Sequence, residues 1–200
     1  MFNPYAQGGW QNSRNPNASS SRNTIPQPSV YGAVPFVASG PTPMFVSFRF
    51  TSFSPSILNS TVMGPHGKTY FHITTDIPTP GVTVISNSNN QPTAIIEWLR
   101  NPMVEVRGFV HKQQASEWLA LAQGKRYRTM TAKNKTFVWA PDDDSICLYS
   151  SGVGAPETHA RLTREDGAVA LEITSEAIQL GLLDVCVAAA LLLQCGRKID

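Results

Sequence analysis

The chain has 200 residues, enough for one domain with a sizeable core and an appendage. Charged residues make up 15%, below the usual quarter or so, and the formal net charge is +2. Before Met44 the only charges are Arg14 and Arg22, so fourteen bases balance fourteen acids over the rest, which argues against binding nucleic acid by counterion release.

The cysteines are Cys147, Cys186 and Cys195, with no CxxC pair. That rules against a disulfide-stapled secreted fold. The opening MFNPYAQGGWQNSRN lacks the charged-then-apolar pattern of a signal peptide. An intracellular, cytoplasmic location is expected, and the sequons at Asn17, Asn59 and Asn134 are read as chance matches.

Residues 1–43 are rich in Asn, Ser, Pro, Gly and Gln and carry no acid. Such a stretch buries too little surface to offset the entropy of ordering, so a disordered tail is expected. Its aromatics Tyr5, Trp10, Tyr31 and Phe36 match no defined recognition pattern and are read as spacer residues. Residues 44–200 are expected to form a single domain.

From Phe45 the apolar period becomes two. Val46, Phe48 and Phe50 share one face, with Ser47 and Arg49 opposite. Next comes a strand, a Gly64-Pro65-His66-Gly67 turn, and a strand with Phe71 and Ile73 inward and Tyr70 and His72 outward. Further strands are expected at Val82–Ser86, Thr93–Leu99 and Val104–Val110. Ala115–Ala122 reads as a short helix or lip. Arg126–Thr131 and Lys135–Ala140 resemble a hairpin, and Ile146–Ser150, Thr158–Thr163 and Ala168–Ile173 complete the series. Short strands at this spacing indicate a sandwich or barrel.

The series ends in AIQLGLLDVCVAAALLLQC, Ala177 to Cys195, read as a helix over about 175–195. Ser175 suits its N-cap, Glu176 its first turn, and Gly196 its stop. The helix is apolar on nearly all sides, so protein or lipid must surround it. Nineteen residues would span about 28 Å, close to a bilayer core, so a C-terminal tail anchor is an alternative. Against it stand the short uninterrupted run from Val185 to Leu193 and the charge of Asp184, costing about 2.5–3.5 kcal/mol in lipid. Burial inside the sheet is favoured, with Asp184 near a mouth or beside a donor.

Three features carry a family resemblance: the Gly64-x-x-Gly67-Lys68 turn leading to Tyr70-Phe71-His72-Ile73, the strand Ile96-Glu97-Trp98, and Ala170-Leu171-Glu172-Ile173 before the apolar helix. Over residues 45–195 the chain resembles a family common in mushroom-forming fungi, domain of unknown function 6593. That family looks like the Tubby C-terminal, LURP-one-related and phospholipid-scramblase group. The resemblance implies a mainly β fold: a closed antiparallel barrel of about twelve strands enclosing the C-terminal helix. It implies no activity and carries over no site residue. Tubby-like relatives bind phosphoinositides and scramblase-like ones associate with membranes. The cysteine-rich acylation stretch of scramblases is absent from this sequence.

Catalytic motifs are not found. His66, His72, His111 and His159 pair with no Cys, His or carboxylate at metal-ligand spacing. His72 and His159 fall on outward strand positions. Ser150-Ser151-Gly152 is no nucleophile elbow, and Gly152-Val153-Gly154-Ala155-Pro156 reads as a loop. Cys186 and Cys195 read as small apolar residues. Asp142-Asp143-Asp144 lacks the spaced oxygens of a calcium loop and reads as a hairpin turn. No enzyme activity and no cofactor are expected.

Charge is segregated along the chain. Eight bases between Arg100 and Lys135 face only Glu105 and Glu117, whereas nine acids between Asp142 and Asp184 face Arg161 and Arg164. Lys125, Arg126, Arg128, Lys133 and Lys135 gather on the presumed hairpin. They are the candidate site for a phosphoinositide headgroup or anionic membrane, at about 1 kcal/mol per cation. An ordinary solvated face is the plainer reading of the same residues. The expected function is that of a non-catalytic intracellular β-barrel binding module for anionic lipid. The alternatives are the tail-anchored protein and a protein-interaction scaffold.

Overall fold

The computed structural model describes residues 43–76, 81–124, 126–152 and 156–200. The expected tail lies outside the described residues except for its last position, as do Lys125 and residues 153–155 of the glycine-containing loop.

Seven strands come first: β1 (Phe45–Thr51), β2 (Ser60–Met63), β3 (Thr69–Thr75), β4 (Val82–Asn87), β5 (Pro92–Glu97), β6 (Met103–Val106) and β7 (Val110–Gln114). The one-turn helix α1 (Ala115–Trp118) leads into β8 (Leu119–Leu121), β9 (Arg128–Ala132), β10 (Lys135–Asp142), β11 (Ser145–Ser150), β12 (Thr158–Glu165) and β13 (Ala168–Thr174). Helices α2 (Ser175–Gln179) and α3 (Leu183–Gln194) follow. The alternation read from the sequence is what buries the core. Phe48, Phe50, Phe71 and Ile73 are buried, while Arg49 is exposed and His72 half-exposed.

All thirteen strands form one sheet, ordered β7-β6-β5-β4-β3-β2-β1-β13-β12-β11-β10-β9-β8. Neighbours pair antiparallel throughout. The two edges, β7 and β8, are consecutive in the chain and joined by α1 alone. In a flat sheet twelve spacings of about 4.8 Å would hold them about 58 Å apart. The link from Gln114 to Leu119 reaches at most about 18 Å. The sheet must therefore curl until its edges meet α1, which touches β6 and β7 on one side and β8 and β9 on the other.

The expected closed barrel of about twelve strands is thus corrected in two respects. There are thirteen strands, and β7 does not pair with β8, so the sheet is not closed by hydrogen bonds. Of the two strands not read from the sequence, β8 takes the end of the stretch read as a short helix or lip, and β7 arises where Val104–Val110 was read as one element. Arg107-Gly108-Phe109 makes a turn there, with Gly108 at φ +74°, and the chain folds back as β7.

The expected single helix over 175–195 is two helices. Thr174, not Ser175, caps α2, its Oγ1 accepting from the Ala177 N–H at 3.2 Å. A Schellman motif ends α2: Leu182 N–H donates to Ala177 O, Gly181 N–H donates to Ile178 O, and Gly181 sits at φ +75°. After this break α3 has twelve residues, of which Val185 to Leu192 are at most 2% exposed. Eight consecutive buried residues cover every side of a helix. It touches β13 as well as β5 and β6, strands well apart in the sheet order, so it lies inside the curl. Among the described residues no helix is long and apolar enough to cross a membrane. Asp184 falls in the first turn of α3, where the helix dipole favours a carboxylate.

His159 is also corrected. It was expected outward but is 6% exposed and faces the Phe137 ring edge-on at 5.6 Å. A bulge between Leu148 and Tyr149 shifts the β11–β12 register at this point, and such a shift exchanges the faces of the residues beside it. Its Nδ1 has no hydrogen-bond partner.

Candidate functional site

The β9–β10 hairpin forms as expected, closed by Lys133 and Asn134, both at positive φ (49° and 60°), between Ala132 and its partner Lys135. It does not gather the candidate cations. At about 3.4 Å per residue, β9 sets Arg128 and Lys133 about 17 Å apart, at opposite ends of the hairpin. Lys133 and exposed Lys135 lie at the end where α3 begins. Arg126 and Arg128 lie at the end where it finishes.

Lys133 is exposed but has a partner at its end. Its Nζ donates to Leu180 O at 2.9 Å and sits 4.8 Å from the centroid of the Phe109 ring. Arg128 is committed as well. It pairs in register with buried Trp139, so it faces the interior rather than solvent. Its Nη1 donates to Leu119 O at 2.8 Å and to Asp200 Oδ1 at 3.0 Å, while Nη2 donates to Asp200 Oδ2. Arg126 is exposed.

The sequence reading missed what lies beside Arg128. After Gly196, at φ +72°, the chain doubles back over the end of α3. Arg197 lies 4.6 Å from the centroid of the Trp98 ring, Ile199 is buried, and Asp200 reaches Arg128. Arg197 and Lys198 directly follow the helix stop at Gly196. The apolar Ile199 next to them was the one local signal that this segment returns to the protein.

Three recesses ring this end of α3. One of about 370 Å³ is lined by Arg128, Arg197, Lys198 and Asp200 over Leu192 and Leu193. A neighbouring one of about 170 Å³ shares Arg128 and Leu193 and is otherwise mainly apolar, with Leu121, Tyr127, Trp139 and Ile146 in its wall. A third, of about 320 Å³, opens between Phe53 and Arg164 beside Gln194. Leu99, Leu121 and Tyr127 stand out at this end, exposed by 49%, 37% and 43%. Arg100 follows Leu99 and Arg126 precedes Tyr127, so the rim alternates cationic and apolar side chains. The C-terminal pole of α3 adds partial negative charge here, which the cations complement and an incoming anion would not. Anion binding must therefore rest on the side chains.

Other titratable groups offer less. Burial pushes the Cys186 and Cys195 thiols up, so neither is a thiolate at neutral pH. On the outer face of β11, partial burial and then Cys147 and Asp142 push the Tyr149 hydroxyl up to about 12. Cys147 in that cluster is fully buried, closed to a substrate. Asp143 and Asp144 form the tight turn between β10 and β11, where Ser145 Oγ donates to Asp142 O at 2.8 Å. Among the described residues no three His, Cys, Asp or Glu side chains are grouped to hold a metal ion.

Comparisons with known proteins are sparse. A solved X-ray structure of an Arabidopsis thaliana protein aligns over 74% of this chain and 93% of its own, at 11% identity and a TM-score of 0.40. No curated protein matches the sequence. The profile of a family of unknown function, DUF6593, matches residues 55–199. That span is most of the chain and includes the strands from β2 onward, α3 and the returning segment as far as Ile199, and the chain belongs to the DUF6593 family.

Proposed function

We propose that this chain is a non-catalytic module that docks on anionic membranes, phosphoinositide-containing ones among them, through the rim at the C-terminal end of α3. The observation that carries this reading is the alternation there of exposed Leu99, Leu121 and Tyr127 with Arg100, Arg126 and Lys198. Apolar side chains that enter the headgroup layer, flanked by cations worth about 1 kcal/mol each near an anionic leaflet, favour peripheral binding. Lys133 leaves the candidate contact set because it has an internal partner, and Arg128 is occupied by Asp200 in this structure. Lys135 leaves it because it lies at the far end. The reading assigns the protein to the cytoplasmic side, where leaflets carry anionic lipid, and gives no part to a cofactor or nucleic acid. It also takes the curled sheet as a barrel of the Tubby and LURP-one kind, supported by an edge-to-edge link through α1 and a helix covered on all sides.

Sedimentation with vesicles tests it. The full chain is expected to bind phosphatidylcholine vesicles containing phosphoinositide at low salt, and to release them as salt screens the cations. Arg126→Ala with Lys198→Ala and Leu121→Ser should weaken binding about tenfold or more, while Lys135→Ala should not. Undiminished binding by the triple variant overturns the assignment.

A further inference from the structure

We propose that Arg128 is an anion seat filled internally by Asp200, and that an anionic amphiphile, a phosphate or carboxylate headgroup on a single apolar chain, displaces Asp200 from it. This rests on the rim reading above and gives it a specific ligand site and an internal competitor.

The donor is built in place. Arg128 is held by its strand register, by its bond to Leu119 O and by burial, with its side chain 17% exposed. Its two terminal nitrogens present a fork that suits carboxylate or phosphate equally. The acceptor is the replaceable partner. The Asp200 side chain is 48% exposed, so a solute reaches this carboxylate without opening the sheet. Once it leaves, Arg128, Arg197 and Lys198 face the 370 Å³ recess, and among the described residues Asp200 is its sole acidic lining residue. That volume lies at the lower end of the range for small-molecule sites. The adjoining apolar recess meets it at Arg128 and Leu193, so a headgroup on Arg128 would direct a short chain toward Leu121, Tyr127 and Ile146. The segment from Arg197 to Asp200 would then act as a strap that the ligand loosens at its Asp200 end, with Arg197 and Lys198 still lining the recess.

Calorimetric titration of the full chain with hexyl phosphate and with inorganic phosphate tests this. Asp200→Asn, which keeps the shape and removes the side-chain charge, is expected to bind hexyl phosphate at least fivefold more tightly than the wild type. Inorganic phosphate should bind at least tenfold more weakly than hexyl phosphate, and Arg128→Met should lose both. Equal affinity in wild type and Asp200→Asn overturns the competitor role, and equal affinity for the two phosphates overturns the amphiphile. Hydrogen exchange on the wild type gives a readout independent of variant folding. Saturating hexyl phosphate should speed exchange at residues 197–200 and leave β9 protected, and unchanged or slower exchange in the strap overturns displacement. Vesicle docking through Arg126, Lys198 and Leu121 is measured separately, so either result can fail without the other.

Discussion

Lys133 Nζ donates to the Leu180 carbonyl across 47 residues, at 2.9 Å. The bond ties the β9–β10 turn to the break between α2 and α3. Leu180 is the C-cap of α2, and its carbonyl has no partner within the helix. A cation at a helix C-terminus also meets the negative end of the dipole. The Phe109 ring on the β6–β7 turn completes the contact, 4.8 Å from the same ammonium. One lysine thus joins three connections at the end where α3 enters the sheet.

Lys133→Met should therefore lower stability by about 1 kcal/mol, the usual net worth of one such hydrogen bond with a modest cation–π contribution. Denaturant titration measures it. Vesicle binding should be unchanged, since Lys133 lies at the end away from the proposed rim. A variant that kept its stability but lost vesicle binding would return Lys133 to the candidate lipid contacts.

Gly181→Ala should cost more. Gly181 sits at φ +75°, where a side chain costs roughly 1–2 kcal/mol. An added Cβ would also lie 3.1 Å from both Lys133 Nζ and Phe109 Cζ, so the lysine contact would have to shift. A loss larger than that of Lys133→Met is expected, and the double variant should lose less than the sum because the two sites share one contact. Additive losses would show that the glycine serves its backbone conformation alone.

Most of the fold is legible in the sequence wherever one face of a strand is buried and the other is wet. Phe48 with Phe50, and Phe71 with Ile73, mark inward faces because period two admits no other assignment. Legibility fails where apolar residues continue through a turn. Val104, Val106, Phe109 and Val110 disguise the turn at Gly108, and Leu180-Gly181-Leu182 disguises the Schellman stop. His159 fails for another reason: it is the extra residue of a bulge opposite the Leu148–Tyr149 step, and periodicity along β12 cannot reveal that. The proposed rim is legible in part. Charge clustering singles out Arg126 and Arg128, but it ignores that a hairpin has two ends. The roles of Arg197, Lys198 and Asp200 depend on a return of the chain to β9, 72 residues away from Asp200 in sequence.

Asp184 gives a pH dependence. Burial raises its pKa above the usual 3.8, partly offset by bonds to the Thr93 side chain and to its own backbone. The folded state therefore holds this proton when the unfolded chain has released it. The contribution to stability is full below the unfolded value and is lost as pH rises through the folded value. Asp184→Asn should be more stable than the wild type at neutral pH and should lack this decline just above pH 3.8. Equilibrium unfolding at several pH values reads both effects. An unchanged pH profile would mean that the carboxylate is solvated in the folded protein.

Thr83 lies in a directed chain of hydrogen bonds beneath the rim. Trp98 Nε1–H donates to Thr83 Oγ1 at 2.7 Å, and Thr75 Oγ1 donates to Leu58 O at 2.6 Å. The two hydroxyls are 2.7 Å apart. Thr75 has spent its only proton on Leu58, so Thr83 must donate to Thr75. Thr83→Val keeps the shape, but leaves the buried indole N–H without its acceptor, at a cost of about 1–3 kcal/mol. Arg197 rests on that same indole ring, so the effect should reach the returning segment. Hydrogen exchange at residues 197–200 should speed up in Thr83→Val beyond what the global loss of stability explains. Exchange there that tracks global unfolding alone would show that the strap is held by Arg128 and Ile199 without help from Trp98.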